Sequence, residues 1–356
     1  MKILHLPSYV VNHGYSLALT ERRQGLDSKS LGIGANKFGF NSDIVVKLSS
    51  NKIESKFQLL RLFRKIYKSY DVFHFNFGGS VIDFPGRNLD LLDLPFYQGR
   101  KFMTFNGSDL RQLVDHKINP YFNLQNGFMK MHSEERIHKR VNKILKNTNH
   151  CFVVNPDLMR FLPREKCSFL PYIKTSWFNI EKQNNITNDK NIKIVHAPTD
   201  RKIKGTDFIV NAIENLQKKY AIDFILIENL SQEEALKIYV TADLVIDQVR
   251  LGWYGAFALE SMKMGIPVAV YINENDLEYV PYDMRVALSE AVINVNPDTI
   301  EEKLDNFLGD RQALNEKGKK GYEYVNEFHN PDKLIKIVIE HYQTGYPKQE
   351  SNKLAK

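Results

Sequence analysis

Two short segments in the second half of the chain combine residue types suited to a phosphorylated ligand. The first is His196-Ala197-Pro198-Thr199-Asp200-Arg201-Lys202-Ile203-Lys204-Gly205-Thr206-Asp207, which leaves an apolar run and enters a helix-like one. Arg201 and Lys204 fall in the connecting loop, near the positive end of a helix expected from about Gly205. Two cations at a helix N-terminus make a diphosphate site on physical grounds, because unpaired N–H groups, the helix dipole and formal charge all attract anions. A solvated charged turn has the same composition. The second segment runs from Asp247 to Val268 and reads strand, Gly-rich loop, helix, Gly stop, strand. Its glycines let backbone N–H groups approach a ligand closely. Glu260 sits in an otherwise apolar helical stretch, Ala256 to Met264. It is either an exposed helix position or a carboxylate placed for ribose hydroxyls.

The elements that must position these residues follow from hydropathy patterning. Strands are expected at Lys2–Leu6, Asp43–Leu48, Asp71–Phe77, Lys101–Asn106 and Cys151–Val154, with helices over 16–24, 56–69 and 132–146. Asn155-Pro156-Asp157 reads as a helix N-terminus. After the polar stretch 181–191 the pattern restarts. It gives strands Ile192–His196, Phe224–Ile227, Leu244–Asp247 and Val268–Tyr271, helices 205–219, 231–241 and 255–264, and a closing helix over about 331–343. Strand–helix alternation of this kind predicts parallel, doubly wound sheets. The expected class is α/β, with two Rossmann-like domains facing across a cleft. The domains would span 1–170 and 190–328. In such sheets ligands bind beyond the carboxyl ends of the strands.

Arg201-x-x-Lys204-Gly205, followed by Gly255-x-x-x-x-Glu260-x-Met262-x-x-Gly265-x-Pro267-Val268, resembles the donor half of retaining glycosyltransferases. The nearest match is glycosyltransferase family 4, the group 1 glycosyltransferases of the GT-B fold. The resemblance is strong over about 196–270 and extends to the rest by layout. It implies that the first domain is the acceptor side, that the second binds the donor, and that the C-terminal helix, 331–345, returns to the first. It also implies that Arg201 and Lys204 clamp the diphosphate of a nucleotide sugar and that Glu260 hydrogen-bonds the ribose. Backbone N–H groups around Tyr254, Gly255 and Ala256 would receive the sugar or the distal phosphate. The family's second Glu, eight residues before the ribose-binding one, is Gly252 here, and Asp247 or Gln248 is left to replace it. In the first half, Asn12-His13-Gly14-Tyr15 resembles the family's Gly-containing loop near the donor phosphates, with Gly14 as the donor-side residue. Asn106 stands where the family commonly has His. His74, at the end of the third expected strand, is the alternative catalytic imidazole. Asp109 is a further catalytic candidate or a helix cap, and Asn106 and Arg111 are acceptor-side candidates.

Composition narrows the partners. The chain has 356 residues and a net charge of +7. Residues 1–166 hold 26 Lys and Arg against 14 Asp and Glu, so the excess of positive charge lies in the first half. An anionic partner for that half is expected: a lipid-linked or saccharide acceptor at an anionic membrane surface, or a phosphorylated substrate. The segment 56–68, Lys-Phe-Gln-Leu-Leu-Arg-Leu-Phe-Arg-Lys-Ile-Tyr-Lys, reads first as a surface helix packing a Leu/Phe stripe on a sheet and otherwise as a helix lying on anionic lipid. No nucleic-acid signature is present, and none is expected as a partner. Gly32-Ile33-Gly34-Ala35-Asn36-Lys37-Phe38-Gly39 has the wrong spacing for a dinucleotide fingerprint and no clear strand before it. The absence of Asp-x-Asp and of His or Cys at ligand spacing leads us to expect no metal and no cofactor beyond the donor substrate. Cys151 and Cys167 read as buried free thiols. The N-terminus reads as a strand, not a signal peptide, and no run is long enough to cross a membrane. A cytoplasmic location, free or peripheral on the inner membrane face, is the expectation. The alternatives to a transferase in bacterial polysaccharide or glycolipid assembly are a nucleotide-sugar epimerase of the same fold and a non-catalytic nucleotide-binding subunit.

Overall fold

A computed structural model of the chain describes residues 1–7, 12–34, 39–84, 89–112, 117–122, 134–175, 180 and 191–344. These form two compact units. The polar stretch 181–190, the end of the chain beyond 344 and most of 112–131 lie outside the described residues.

The first unit is built on a seven-stranded sheet of β1 (Lys2–Leu6), β2 (Asp27–Ile33), β3 (Ile44–Val46), β4 (Val72–Asn76), β5 (Arg100–Phe105), β6 (His150–Val153) and β7 (Cys167–Phe169). The order is β3-β2-β1-β4-β5-β6-β7 and every pairing is parallel. Helices α1 (His13–Arg23), α2 (Lys52–Ile66) and α3 (Glu134–Asn147) belong to this unit. The second unit has five parallel strands, β8 (Ile192–His196), β9 (Ile222–Leu226), β10 (Leu244–Ile246), β11 (Val268–Val270) and β12 (Val292–Asn294), in the order β12-β11-β10-β8-β9. Its helices are α4 (Arg201–Lys204), α5 (Thr206–Leu216), α6 (Gln232–Tyr239), α7 (Ala256–Lys263), α8 (Tyr282–Ala291), α9 (Ile300–Leu308) and α10 (Arg311–Phe328). The last helix, α11 (Pro331–Thr344), packs in the first unit. Strand order reverses between β1 and β4 in one sheet and between β8 and β10 in the other. Those two points are where open α/β sheets hold ligands.

Three strands escape the hydropathy reading: β2, and β7 and β12, which have three residues each. In β2 the buried positions include Ser28 and Ser30, which make the run look like a polar loop. Each is stabilised by a carboxylate: Ser28 Oγ donates to Glu21 at 2.5 Å, and Ser30 donates through N and Oγ to Asp43 at 2.8 and 2.9 Å. Strands β7 and β12 are too short for periodicity. The Gly32-Ile33 dipeptide therefore does end a strand, while 35–38 lie outside the described residues. The helix expected at Pro156 is a six-residue 3-10 turn, Pro156–Phe161. The helix expected over 205–219 is α5, Thr206–Leu216, and the loop expected before it holds the one-turn helix α4, Arg201–Lys204, joined to α5 at Gly205.

Helix α11 shows how residues far apart in sequence close the first core. Leu334, Ile335, Val338 and Tyr342 pack against Ile3, Leu17, Val72, Phe102 and Phe152. Arg100 donates to the carbonyls of Tyr342 and Gln343, capping the helix C-terminus. Four fully buried side chains at about 1.5–3 kcal/mol each make this helix a large part of the unit's stability. Helix α2 divides its apolar residues between two faces. Leu59 and Ile66 are buried, whereas Ile53, Phe57 and Leu60 are 68%, 58% and 36% exposed. Among the described residues, no helix is long and apolar enough to cross a membrane.

Truncating Ile335 to Ala is expected to lower unfolding stability by about 2–5 kcal/mol, because the site is enclosed and cannot collapse. Denaturant unfolding of wild type and variant measures it.

Candidate functional site

In the second unit the site is built around one buried carboxylate. Asp247 follows β10 and is fully enclosed. Its Oδ1 accepts from Lys204 Nζ at 2.6 Å, and its Oδ2 accepts from the Gly255 N–H at 2.6 Å. One side chain thus ties the end of α4 to the start of α7. The first N–H groups of α7, at Ala256 and after, have no carbonyl partner within the helix by its geometry. Gly255 lies on the ion pair: a Cβ there would stand 3.3 Å from both Lys204 Nζ and Asp247 Oδ2.

Local sequence explains the shape. Asp200 caps α4 by accepting from the Ile203 N–H at 2.9 Å. Gly205 takes φ 77°, and a Cβ there would meet Val249 Cγ2 at 2.6 Å, so only glycine lets α4 turn into α5 against the second loop. Val249 N–H donates to the Lys204 carbonyl at 3.0 Å, joining the two loops directly. Gln248, also buried, organises the Gly-rich loop with all its hydrogen-bonding atoms. Its Oε1 accepts from the N–H groups of Arg250 and Leu251 at 2.7 and 2.6 Å, and its Nε2 donates to the carbonyls of Trp253 and Tyr271 at 3.1 and 2.8 Å. Gly252 takes φ 90° with an imagined Cβ 2.8 Å from Asn273 Cβ. No carboxylate side chain fits that position, so the departure from the family pattern is built into this backbone.

A short segment between β5 and α3 in sequence also belongs to this unit. Asn119 Nδ2 donates to the Arg250 carbonyl at 3.1 Å, and Arg250 Nε donates to the Tyr121 carbonyl at 2.6 Å. Asn273 Nδ2 donates to the Ile118 carbonyl at 3.0 Å. The Gly-rich loop is therefore held from inside by Gln248 and from outside by residues 118–121.

Arg201 stands apart from the pair. It is 53% exposed and makes a bidentate contact with Glu228, Nε–Oε1 2.8 Å and Nη2–Oε2 2.5 Å. The guanidinium holds the Glu228 carboxyl below its usual range. Glu260 is buried on α7. It acts together with Asp247 on Tyr239, whose phenol is pushed up by burial and then by these two carboxylates. Tyr254 does not present its side chain to this site. It is fully buried, its hydroxyl bonded to Tyr324 at 2.6 Å and to His329 at 2.9 Å. His196, at the end of β8, is a structural group: Nδ1 donates to the Ile246 carbonyl at 2.7 Å, which leaves Nε2 to accept from Thr206 at 2.9 Å.

In the first unit the candidate residues have different fates. His74 lies in the core, not at the strand end. Its Nδ1 bonds the Tyr342 hydroxyl at 2.5 Å and its Nε2 the Thr104 hydroxyl at 2.7 Å. Burial, with His5 and His13 beside it, holds it neutral. With both nitrogens taken, it is a core residue and not a free acid or base. Arg111 is committed to Asp157 at 2.6 and 3.1 Å. Asp109 folds back as a turn cap, accepting from the N–H groups of Gly107 at 2.7 Å and Asn106 at 3.1 Å. Burial raises its carboxyl to about 6. Gly14 lies in the first turn of α1, where a Cβ would stand 3.2 Å from Asn76 Nδ2. Asn106 is buried at the end of β5, its carbonyl accepting from Asn155 at 2.8 Å. Sequence reasoning did not single out Glu228, Asn119, Asn76 or His13 as site residues. A His and a Gly beginning a helix directly after the first strand was the one available signal for the last.

No protein-family model and no curated protein sequence matches the chain. Solved structures do match, across nearly its whole length. Sucrose-phosphate synthase from Thermosynechococcus elongatus is similar over 96% of this chain and 98% of its own, with TM-score 0.61 and 14% identity. An alpha-glucosyltransferase solved with UDP and a 13-mer DNA containing a central A:G mismatch matches over 96% and 100%, with TM-score 0.61 and 10% identity. A chain assigned as a UDP-N-acetylglucosamine 2-epimerase from Listeria monocytogenes matches over 98% and 97%, with TM-score 0.56 and 11% identity. At these identities the likeness is one of fold. That fold, two parallel α/β units of seven and five strands, is the GT-B architecture.

Two outcomes test the geometry. Gly252→Ala and Gly252→Asn should both lower stability by about 1–3 kcal/mol, although Asn tolerates positive φ, because either Cβ strikes Asn273; thermal unfolding checks this. The buried histidines make a pH prediction. His13 and His150 are held down to about 3 and His196 to about 4, each first by burial, from an ordinary value of 6.5. Below pH 6.5 the unfolded chain takes up protons that the folded chain refuses, so each removes about 1.4 kcal/mol of stability per pH unit as pH falls toward 4. Asp109, raised to about 6, acts in the opposite sense between its ordinary value and 6. Three groups outweigh one, and denaturant midpoints should fall steeply between pH 6.5 and pH 4.

Proposed function

We propose that the chain is a glycosyltransferase that moves a sugar from a nucleoside-diphosphate sugar to an acceptor hydroxyl. The observation that carries this reading is the cluster at the point of strand-order reversal in the second unit. There Lys204, Asp247 and Gly255 are locked together beside the first turn of α7, with Arg201 on α4 and Glu260 one turn further along α7. Such a cluster offers a guanidinium, an ammonium and helix N–H groups to a diphosphate, and a buried carboxylate to ribose hydroxyls.

The roles follow from the chemistry. Negative charge builds on the diphosphate as the glycosidic bond breaks, so cations held in place stabilise the transition state more than the bound donor. Lys204 is fixed by a buried carboxylate and keeps two further N–H donors. Arg201 exchanges Glu228 for phosphate oxygens, a low-cost exchange because the pair is solvent-exposed. Retention of configuration and independence from metal are the mechanism we infer from the family resemblance. In this reading Tyr254, Gly255 and Ala256 serve through their backbone, Gly14 is a donor-side residue of the first unit, and Asn106 lies on the acceptor side.

The acceptor we infer is lipid-linked, met at an anionic membrane surface. Ile53, Phe57 and Leu60 recur at helical spacing on the exposed side of α2, among Lys52, Lys56, Arg61, Arg64 and Lys65. Apolar side chains flanked by cations suit insertion at a negatively charged headgroup layer. A nucleotide-sugar epimerase is the second reading, favoured by the likeness to the Listeria monocytogenes chain. It requires conversion of donor to a new nucleotide sugar with no acceptor present.

Thermal unfolding with UDP, GDP, ADP and CMP tests the donor site. One diphosphate should raise the midpoint by several degrees, as about 2.7 kcal/mol of binding stabilisation does at a hundredfold excess over Kd. Arg201→Ala should abolish most of that rise. A flat response to all four nucleotides overturns the reading. Flotation with phosphatidylglycerol vesicles tests the membrane surface: wild type should float at low salt, and Ile53→Ser with Phe57→Ser should not.

A further inference from the structure

The edge of the second sheet carries a cavity that the proposed donor site does not use. Its volume is about 440 Å3, within the range of about 300–1,000 Å3 typical of small-molecule sites. Its lining comes from the edge strand β12, from α8 and α9, from the segment after β11 and from Lys317 of α10. Lys204, Asp247 and Gly255 take no part in it. The walls are mainly apolar: Ile272, Leu277, Leu288, Val292, Ile293 and Phe307. Among them stand three cations, Arg285, Lys303 and Lys317, and one carboxylate, Glu274.

The three cations are not equivalent. Lys317 donates to the carbonyls of Ser289, Glu290 and Val292 at 3.3, 2.8 and 3.0 Å, so its three N–H groups are spent. Lys303 donates to the Asn294 carbonyl at 2.7 Å and keeps two further donors. Arg285 rests on the Tyr282 ring, 5.0 Å from its centroid, and has no carboxylate partner among the described residues. Its N–H donors form a planar fork that suits a carboxylate or a phosphate. The same contacts decide what does not bind. An edge strand invites a further strand, which needs open backbone carbonyls. Here the Val292 and Asn294 carbonyls are already taken by Lys317 and Lys303, so a compact ligand fits and a peptide strand does not. A bare anion leaves the apolar walls uncovered. A neutral apolar molecule displaces water from Arg285 and gives it no partner. A ligand with both parts meets both needs.

We propose that this cavity binds an amphiphilic anion: one carboxylate or phosphate head on an apolar body. The head meets Arg285 and Lys303, and the body lies against Leu288, Ile293 and Phe307. The site goes beyond the transferase reading and does not depend on it. It also adjoins the Gly-rich loop. Asn294, at the end of β12, holds Ile272 through both amide atoms, accepting from its N–H at 2.9 Å and donating to its carbonyl at 3.2 Å. The next residue, Asn273, donates its N–H to the Gly252 carbonyl at 2.9 Å. A ligand against Ile272 therefore lies one residue from that loop.

The test uses the full chain with 13C-labelled isoleucine methyl groups, assigned from the Ile272→Val, Ile293→Val and Ile53→Val spectra. Ile53, exposed on α2, reports adsorption elsewhere on the protein. Sodium octanoate, octyl phosphate, 1-octanol and inorganic phosphate are titrated separately, below the concentrations at which the octyl compounds aggregate. At least one of the two octyl anions should shift Ile272 and Ile293, and the tighter of them names the head group. Inorganic phosphate should leave both signals unmoved. 1-Octanol should bind about tenfold more weakly, the equivalent of one charge-assisted hydrogen bond. Arg285→Gln should weaken the octyl anions by about the same factor, to the level of the alcohol. Ser289→Trp, which fills the cavity from an exposed position on α8, should abolish the shifts with the unfolding midpoint unchanged. Four results overturn the site: no response to either octyl anion at Ile272 and Ile293, equal affinity for 1-octanol, a response to inorganic phosphate, or octyl-anion affinity unchanged in Arg285→Gln.

Discussion

A buried carboxylate is tolerated in a protein interior only when both its oxygens are satisfied and its charge is balanced. Asp247 meets both conditions by reaching across two loops. Lys204 supplies the charge and Gly255 the backbone donor. The end of α4, the end of β10 and the start of α7 are thereby held at one spacing. Every other feature at this strand end depends on that spacing. Gly205 turns the chain tightly enough for Val249 to reach the Lys204 carbonyl. Gln248, next in sequence, shapes the loop that delivers Gly255. The Lys204–Asp247 pair is enclosed, whereas Arg201, paired with Glu228, is the more exposed of the two cations.

The first unit solves a different problem with similar means. Its core contains His5, Glu21, His74 and Tyr342, all buried. His5 donates to Glu21 at 2.8 Å, and His74 bonds the Tyr342 hydroxyl on α11. This polar line crosses from α1 through β1 and β4 to a helix from the far end of the chain. It gives α11 a defined angular position in addition to its apolar contacts, since Tyr342 must meet His74 as well as Phe102. It also separates two histidines that look alike in sequence. His74 is consumed by this network, whereas His13, a few residues past β1, is not.

Much of the architecture was legible because it rests on local periodicity. Apolar runs such as Lys2–Leu6, Ile192–His196 and Val268–Val270 are strands because both faces of a parallel sheet are covered, and the residues say so without help. Strand β2 was hidden because its buried positions are serines, whose burial is acceptable only beside Glu21 and Asp43. Helix α2 was read first as packing a stripe on the sheet, and it buries Leu59 and Ile66 while Ile53, Phe57 and Leu60 stay exposed. The motif proposed for the donor side is contiguous in sequence: Arg201, Lys204 and Gly205 within one turn, Gly255 and Glu260 within another.

Sequence alone determined the α/β class, the restart of the pattern near residue 192, the return of an apolar helix at the end of the chain, and the positions of cations and glycines at two strand–helix turns. These are properties of neighbours along the chain, set by side-chain type and the periods of strand and helix. Tertiary structure decided which partners those residues meet. It joined Lys204 to Asp247 across forty-three positions, gave Arg201 to Glu228, and withdrew Tyr254 and His74 into cores. It also brought the unpaired atoms of His13, Asn76 and Asn106 to a common strand end. The reason is physical. A polar group's role depends on whether folding supplies it with a partner, and the partners come from strands adjacent in the sheet and distant in the sequence.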